Sequence, residues 1–497
     1  MPSSKANPLT ASRACNRSGA TGPPPNSAIT PPDAHEAQIA TRACPDVRGL
    51  LPGNQVLFLP ARRPQAGLSP EPDRVGALPH ACDAGFFAER PCRRKLSARK
   101  VLSLIGKWFM NRTACTLAVG LLVIPILGVA ALTTPEAKAQ MSPSCGVPLA
   151  LDDGWPIDTP EALGFDRSRL CGLADRLREA DDVHSVVVAR HGRLVFERYF
   201  AGYDEPWGYD DKRYEFDATM KHDMRSVSKS IVSLLTGIAI DRRLIDGVDA
   251  PALPFFPEMA STAGEGWAGV RLGDLLTMSS GISWDENRAW TDPKNDEPYL
   301  GSEADPIRYV FSKPIVTTPG TRWNYNGGGV DLLGTILARQ SGQSLDAFAR
   351  DALFAPLGIT DFEWQTYRNG KVSAAAGLRL RPRDATKIGQ LVLNKGVWQG
   401  ASIVPADWIE QSVVPRFQAL GYFGGLFFYG RFWWLGRTLS GGQEVPWISA
   451  MGLGGQRIFI VPTLDLVVTS TSGLYTDPRQ GTAALDMLGV IIAAVRE

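Results

Sequence analysis

The sequence predicts an α/β (α+β) fold in which an antiparallel sheet, built from N- and C-terminal segments, is flanked by helices and carries a helical insertion subdomain. Two β-rich runs surround a His-Gly turn at residues 186–197, and two more lie at 457–462 and 464–470. Between them, residues 230–395 are predicted to be mostly helical, because apolar residues recur every three or four positions, as in 330–339 and 345–353. Strands at both ends with helices between them imply one domain.

The first 109 residues are predicted to be a disordered leader. Fifteen of the 37 prolines precede residue 92, in a segment with no sustained apolar period. Residues 110–112, Met-Asn-Arg, form by themselves a compact positively charged N-terminal region of a signal peptide. We therefore expect translation to begin at Met110 and residues 1–109 to be dispensable.

Residues 110–139 are typical of a secretory signal peptide. Basic residues precede nineteen mostly apolar residues, 114–132, and the small residues Ala137 and Ala139 fit signal peptidase. This predicts a mature start at Gln140 and one exported domain over 140–497, periplasmic or secreted. The alternative is an uncleaved 114–132 anchor that holds the domain outside the cytoplasm, which is the one case in which a membrane is a partner.

Two of the seven cysteines, Cys145 and Cys171, follow the predicted cleavage site. Two cysteines in an exported domain suggest one disulfide, which ties the mature N-terminus to the first helix. The alternative is two separate buried thiols.

Ser226 and Lys229 form an S-x-x-K pair ahead of a strongly apolar run. Positions i and i+3 share a helix face, so the lysine amine can reach the serine hydroxyl and take its proton. The pair therefore indicates a serine acyl-transfer enzyme. A second copy at 97–100 lies in the basic leader, so the pattern alone is not specific.

The apolar run after Ser226 predicts a buried helix closed by Asp246-Gly247. The Ser226 N–H then falls in the first helical turn, where backbone donors lack partners and the helix dipole favours negative charge. It can therefore bind a developing oxyanion. The alternative is that Ser226 only caps the helix and that Lys229 is a solvated first-turn residue.

Composition and histidine positions argue against other classes. All five histidines precede Ser226, whereas an α/β-hydrolase needs a histidine after its serine and a G-x-S-x-G elbow. His222 is interpreted as a loop or cap residue rather than as a base. Histidine and cysteine spacings predict no metal and no cofactor. A net charge of +1 gives no electrostatic case for a nucleic-acid partner.

With histidine set aside, the base must be Lys229 or a tyrosine, and either requires a lowered pKa. Tyr325 is the candidate, in a glycine-rich loop at 319–329 that opens a helix. The alternative for Tyr325 is a buried aromatic residue that anchors this loop.

Five motifs then occur in the order typical of one known group. They are the S-x-x-K at Ser226, Leu-Leu-Thr-Met-Ser-Ser-Gly at 275–281, P-G-T-x-W-x-Y at 319–325, Pro-Leu-Gly at 356–358, and Gly-Leu-Gly-Gly-Gln at 452–456. On these motifs the chain resembles the β-lactamase-related serine hydrolases over about residues 155–495. This group includes class C β-lactamases, DD-peptidases, family VIII carboxylesterases and 6-aminohexanoate-dimer hydrolases.

The resemblance implies a β-lactamase/DD-peptidase-like fold and a role for each site residue. Ser226 is implied as nucleophile, Lys229 as its activating base, and Tyr325 as the group that shuttles a proton and later activates water. The implied oxyanion site lies between the N–H groups of Ser226 and Gln456. Gly454 and Gly455 are predicted to form a substrate-binding loop; the alternative for both glycines is a plain hairpin turn.

Two departures from the group's pattern bear on the substrate. Gly327 stands where Y-x-N has asparagine, and Leu453-Gly454-Gly455 stands in place of K-T-G. In lactam-recognising members that triplet binds the substrate carboxylate. We therefore expect a small-molecule ester or amide substrate, as in carboxylesterases and 6-aminohexanoate-dimer hydrolases. The alternatives are a class C-type β-lactamase, a DD-peptidase or penicillin-binding protein, and a catalytically inactive scaffold.

Overall fold

The computed structural model describes residues 147–180, 182–208, 211–419 and 426–496. The predicted leader and the predicted signal peptide or anchor lie outside these residues, as does Cys145. The leader, the signal peptide and the pairing of Cys145 with Cys171 therefore stay predictions. Cys171 is disulfide-bonded. Among the described residues, no helix combines the length and apolar character that a membrane crossing needs.

Fifteen strands form the β-structure of the described residues. They are β1 Val183–Arg190, β2 Arg193–Tyr199, β3 Ala201–Asp204, β4 Lys212–Glu215, β5 His222–Asp223, β6 Glu363–Trp364, β7 Leu378–Leu380, β8 Val397–Trp398, β9 Ala401–Ser402, β10 Phe417–Ala419, β11 Phe427–Tyr429, β12 Trp434–Ser440, β13 Gln443–Gly452, β14 Gln456–Val461 and β15 Leu466–Ser472.

Ten α-helices accompany these strands in the described residues. They are α1 Arg167–Ala180, α2 Val227–Asp241, α3 Leu272–Leu276, α4 Glu297–Ser302, α5 Pro306–Phe311, α6 Gly327–Ser341, α7 Leu345–Ala349, α8 Pro382–Leu393, α9 Ala406–Ser412 and α10 Ala483–Ala493.

The main sheet has eight strands in the order β10-β11-β12-β13-β14-β15-β1-β2. Every neighbouring pair is antiparallel. The β15–β1 pairing joins the C-terminal strands to the N-terminal hairpin, with Val188 opposite Val468. The predicted sheet of N- and C-terminal segments is confirmed.

Both predicted hairpins are present, and their turns explain why they form. His191 and Gly192 have φ of 50° and 70° between β1 and β2, the left-handed pair that matches strand twist in a two-residue hairpin. Asp465, with φ 47°, closes the turn between β14 and β15. A hydrogen bond of 2.8 Å joins the His191 imidazole to the Asp465 carboxylate, so the two turns lie side by side.

Helix α8 packs on strands β1, β14 and β15. Its Gly389 permits the close approach, since a Cβ there would lie 2.5 Å from Cγ1 of Val467. Helices α1 and α10 contact each other. Helix α1 also contacts β1, and α10 also contacts β12. The sheet core is therefore covered by elements from both ends of the chain.

Helix α2 connects the sheet to the helical insertion. It contacts β13 and β14 as well as α6, around which α3, α4, α5 and α7 assemble. It ends at Asp241, earlier than the predicted stop at Asp246-Gly247, because Arg243 has a φ of 57° that a helix cannot continue through. The N-terminal end of α2 therefore lies where sheet and insertion meet.

Candidate active site

Ser226 occupies the N-cap position of α2 but does not use its side chain as a cap. Its backbone angles are φ −67° and ψ −3°, and the hydroxyl makes no capping hydrogen bond. Arg225, the preceding residue, has a φ of 48°, which is costly for a non-glycine residue. Ser226 thus follows a residue with a strained backbone, and its hydroxyl is half-buried and available for another role.

Lys229 lies one turn along α2 and points at this hydroxyl. Its Nζ donates hydrogen bonds to Ser226 Oγ at 2.9 Å and to the Ala375 carbonyl oxygen at 3.1 Å. The side chain is only 1% exposed. The alternative in which Lys229 is a solvated first-turn residue is therefore wrong.

Tyr325 completes a compact group with these two residues. The Lys229 Nζ lies 4.9 Å from the centre of the Tyr325 ring, and the Tyr325 side chain is hydrogen-bonded to both Ser226 and Lys229. Trp434 packs against the ring at a centroid distance of 5.7 Å. The structure thus brings all three predicted catalytic side chains together.

The charge environment differs from the sequence expectation of a lowered pKa. Burial by itself lowers the pKa of Lys229, but Tyr325, Glu286 and Glu297 outweigh it and hold that pKa above its usual value. Burial also raises the pKa of Tyr325, although the Lys229 ammonium opposes this. At rest, Lys229 is therefore an ammonium and Tyr325 a neutral phenol.

Two carboxyl groups that the sequence analysis missed create this environment. Glu286 accepts hydrogen bonds from Trp284 Nε1 at 2.6 Å and from the Gly327 N–H at 2.7 Å. Burial and the neighbouring Glu286 raise the pKa of Glu297 to about 7. Because a Cβ at position 327 would lie 3.1 Å from the Glu286 Oε2 atom, the glycine that replaces asparagine in Y-x-N makes room for this carboxylate.

A loop that follows β6 holds Lys229 from the other side. Asp331 of α6 accepts hydrogen bonds from the N–H groups of Ala374 and Ala375, at 2.9 and 3.2 Å. Burial raises the pKa of Asp331 to about 6. The carbonyl of Ala375 is thereby fixed where it accepts from Lys229.

A cavity of about 190 Å³ opens beside Ser226. Its lining combines the catalytic candidates, two acidic residues, aromatic rings and the end of β13. These residues are Arg225, Ser226, Glu286, Trp290, Glu297, Tyr325, Ala376, Trp434, Met451, Gly452, Leu453 and Gln480.

The end of β13 forms one wall of this cavity. A Cβ at Gly452 would lie 2.3 Å from the carbonyl oxygen of Met224, so only glycine lets this strand pass so close to the start of α2. Met451, Gly452 and Leu453 line the cavity. The backbone that faces the nucleophile therefore belongs to 451–453.

The predicted site residues Gln456, Gly454 and Gly455 lie beyond this wall and are not among the residues that line the cavity. Gln456 is buried, and its side-chain amide bonds the carbonyls of Leu453 and Ser472. Gly454 and Gly455 have φ of 85° and 97° and form the β13–β14 turn. The register pairs Gly452 with Gln456, and the Gly454 N–H donates to Oε1 of the lining residue Gln480 at 2.9 Å.

Arg457 is a second feature that the sequence analysis missed. Its guanidinium is buried and donates to the carbonyl oxygens of Gly452 at 2.7 Å and Gln480 at 2.8 Å. Burial lowers the pKa of Arg457 to about 10. An arginine directly before the apolar run 458–461 was the available signal. Its hydrogen bond to Gly452 positions the strand end that lines the cavity.

The family model described as Beta-lactamase matches residues 174–488, more than half of the chain. The chain belongs to the beta-lactamase family. As a member of that family it is a serine hydrolase, and the predicted resemblance to β-lactamase-related serine hydrolases is confirmed.

Curated relatives of this beta-lactamase family member include hydrolases of several kinds. It is 26% identical over 350 residues to the 6-aminohexanoate-dimer hydrolase of Paenarthrobacter ureafaciens, covering 66% of this chain and 81% of that protein. It is 30% identical over 226 residues to Esterase EstB of Burkholderia gladioli, covering 41% of this chain and 53% of that protein. The chain thus spans about half the length of the esterase.

Solved structures share the fold of this beta-lactamase family member. A family VIII carboxylesterase aligns with a TM-score of 0.50 at 16% identity, over 65% of this chain and 94% of its own. EstCE1, a hydrolase with promiscuous acyltransferase activity, aligns with a TM-score of 0.51 at 14% identity, over 66% and 98%. The predicted β-lactamase/DD-peptidase-like fold is confirmed.

Proposed function

We propose that this protein cleaves an ester or a small amide through an acyl-enzyme formed on Ser226. The observation that carries the proposal is the 2.9 Å hydrogen bond from Lys229 Nζ to Ser226 Oγ beside an open cavity. A half-buried hydroxyl that does not cap its helix, and that contacts an amine and a phenol, is arranged for nucleophilic attack.

In the acylation step, Ser226 Oγ attacks the substrate carbonyl carbon and loses its proton to the Lys229–Tyr325 pair. The pair must first have given up one proton, since at rest it holds an ammonium and a phenol. The carbonyl oxygen becomes an oxyanion, for which the N–H groups of Ser226 and Leu453 are the proposed donors. The pair then protonates the leaving alcohol or amine.

Deacylation reverses these proton movements with water in place of the leaving group. Tyr325, hydrogen-bonded to both partners, takes a proton from the attacking water. The ester bond to Ser226 breaks, the serine recovers a proton from the pair, and the carboxylic acid leaves.

The lining of the cavity favours an ester or a small amide over a lactam. The cavity of about 190 Å³ shares Arg225, Trp290, Glu297 and Ala376 with a neighbouring cavity of about 380 Å³. The β13 wall presents Met451, Gly452 and Leu453 rather than a lysine and a hydroxyl that bind a carboxylate. The relatives named as an esterase and a 6-aminohexanoate-dimer hydrolase support the same substrate class.

A substrate panel on the purified chain tests this proposal. We expect turnover of p-nitrophenyl esters to exceed that of nitrocefin, because the carboxylate-binding triplet is absent, and esters of increasing chain length measure the acyl group that the site accepts. Linear amide dimers are assayed in parallel. The measurements are kcat/KM for each substrate and the intact mass of the protein, which identifies a covalent acyl adduct.

Two outcomes would contradict the proposal. Nitrocefin turned over faster than every ester would favour a class C-type β-lactamase. Stable labelling by fluorescent penicillin without ester turnover would favour a penicillin-binding protein or DD-peptidase.

Glu286 and Glu297 predict that kcat/KM depends on pH above neutrality. Because the pKa of Lys229 and that of Tyr325 are both raised, activity should increase as pH rises above neutrality. Above pH 7, Glu297 is ionised and holds those pKa values up. Glu297→Gln removes that charge, so the rising limb of the kcat/KM profile should move to lower pH.

A matched control separates this electrostatic effect from a general loss of activity. Glu265 is exposed and outside the cavity, so Glu265→Gln should leave the profile unchanged. An unshifted or alkaline-shifted limb in Glu297→Gln would show that Glu297 does not act on the Lys229–Tyr325 pair.

A further inference from the structure

Three potential metal ligands meet in a buried cluster outside the cavity. His184 lies on β1, Asp204 ends β3, and His222 lies on β5. Their exposed fractions are 0%, 2% and 0%. None of the three lines the cavity beside the nucleophile.

The donor atoms of this cluster are within reach of one ion. His184 Nδ1 lies 2.8 Å from His222 Nε2, which in turn lies 3.6 Å from Asp204 Oδ1. One ligand atom from each residue falls within 4.8 Å of the others. Bond lengths of about 2.0–2.2 Å to nitrogen and oxygen put tetrahedral donors roughly 3.3 Å apart. A zinc ion therefore requires the two imidazole nitrogens to separate by about 0.5 Å and the Asp204 oxygen to adjust to the same spacing.

The hydrogen bonds around the cluster orient lone pairs toward its centre. His222 Nδ1 lies 3.0 Å from the Asp223 carbonyl oxygen, which can only accept, so Nδ1 carries a proton. The Nε2 lone pair of neutral His222 therefore points at the other two residues. The Tyr475 hydroxyl donates to Asp204 Oδ1 at 2.7 Å, which orients the carboxylate. Such outer contacts are typical of residues that bind metals.

Without an ion, the cluster carries a carboxylate beside two imidazoles. His222 Nε2 accepts a hydrogen bond of 2.8 Å from His184 Nδ1–H, and the Asp204 carboxylate oxygen faces the same nitrogen at 3.6 Å in a buried site. Buried partial charges of the same sign are costly unless a proton or a cation lies between them. A divalent cation between the nitrogen and the carboxylate removes this repulsion; it replaces the hydrogen bond between the imidazoles, and His184 then carries its proton on Nε2 instead of Nδ1.

We propose that His184, Asp204 and His222 bind one divalent transition-metal ion, with zinc as the best fit to two imidazoles and a carboxylate. The ion is structural. Tyr475, which hydrogen-bonds the ligand Asp204, has its ring centre 4.6 Å from the Arg225 guanidinium carbon. The site therefore connects β1, β3 and β5 to the residue that precedes the nucleophile.

Metal binding to the full chain, purified without a histidine tag, tests this proposal. After treatment with a chelator, the protein is incubated with zinc chloride alone, desalted and analysed by plasma mass spectrometry. We expect about one zinc per chain and a higher Tm, since a ligand that binds only the folded state stabilises it.

Variants assign the ion to the cluster. Asp204→Asn and His184→Gln should each lose the retained zinc and the rise in Tm. His191→Gln should keep both, because His191 forms an exposed pair with Asp465 at 2.8 Å outside the cluster.

Two results would overturn the site. The first is a wild-type chain that retains no zinc and whose Tm does not change with zinc. His184, Asp204 and His222 would then be joined by hydrogen bonds alone, and this result does not depend on the folding of any variant. The second is zinc that survives in Asp204→Asn and His184→Gln but is lost in His191→Gln. Both readouts are independent of hydrolase activity.

Discussion

Replacement of Ser226 by alanine is expected to lower kcat for ester hydrolysis by at least about 10⁴-fold, the scale on which a nucleophile acts in other serine hydrolases. The reason is that no other hydroxyl occupies the position contacted by both Lys229 and Tyr325 in the described residues. The fold should persist, because the Ser226 side chain makes no capping hydrogen bond to α2. Steady-state kinetics and circular dichroism measure the two effects.

Ser233→Ala on the same helix is the matched control. Its buried hydroxyl has no hydrogen-bond partner among the described residues, so its loss should leave activity and stability nearly unchanged. Residual turnover near wild type in Ser226→Ala, with the acyl adduct still present by mass, would rule Ser226 out as nucleophile.

The same experiment examines whether the three side chains act as a unit. Lys229→Ala and Tyr325→Phe should each cost several powers of ten in kcat. Combining either with Ser226→Ala should cost little more, since the effects of residues that act together are not additive. Full additivity would mean that Lys229 and Tyr325 act independently of the serine.

Replacement of Glu197 by alanine is expected to lower the free energy of unfolding by about 3–5 kcal/mol. Glu197 accepts from Arg383 Nε at 2.7 Å and from Arg383 Nη2 at 2.6 Å, and both residues are buried. The Arg383 guanidinium also bonds Asp153 at 2.9 Å and the Leu149 carbonyl at 2.6 Å. Without Glu197, a buried guanidinium loses its bidentate partner. Urea denaturation measures the loss.

Glu444→Ala provides the comparison for this ion pair. Glu444 pairs with Arg437 at 2.7 Å, but both side chains are about half exposed, and such pairs contribute about 0–1 kcal/mol. Equal losses in the two variants would mean that burial does not set the strength of the Glu197–Arg383 pair.

Local patterns account for what could be predicted about the fold. The β-rich runs that flank the His191-Gly192 turn and the turn at Asp465 identify both hairpins, because strand pairing across a short turn depends on neighbouring residues. The Ser226–Lys229 contact is predictable for a similar reason, since three residues on a helix return to the same face.

The cavity wall was predicted less well, because it depends on strand register. Gly452 approaches the start of α2, whereas Gly454 and Gly455 of the predicted substrate-binding loop form the turn that follows β13. A glycine-rich run contains several candidates for a close approach, and only the packed strands select one of them.

The amino-acid sequence by itself determined the fold class, the serine and lysine on one helical face, and the tyrosine loop that accompanies them. Only the tertiary structure decided the ionisation of Lys229, the approach of Glu286 and Glu297, and the meeting of His184, Asp204 and His222. The physical reason is that electrostatic fields and metal-ligand distances act through space, between side chains whose separation along the chain carries no periodic signal.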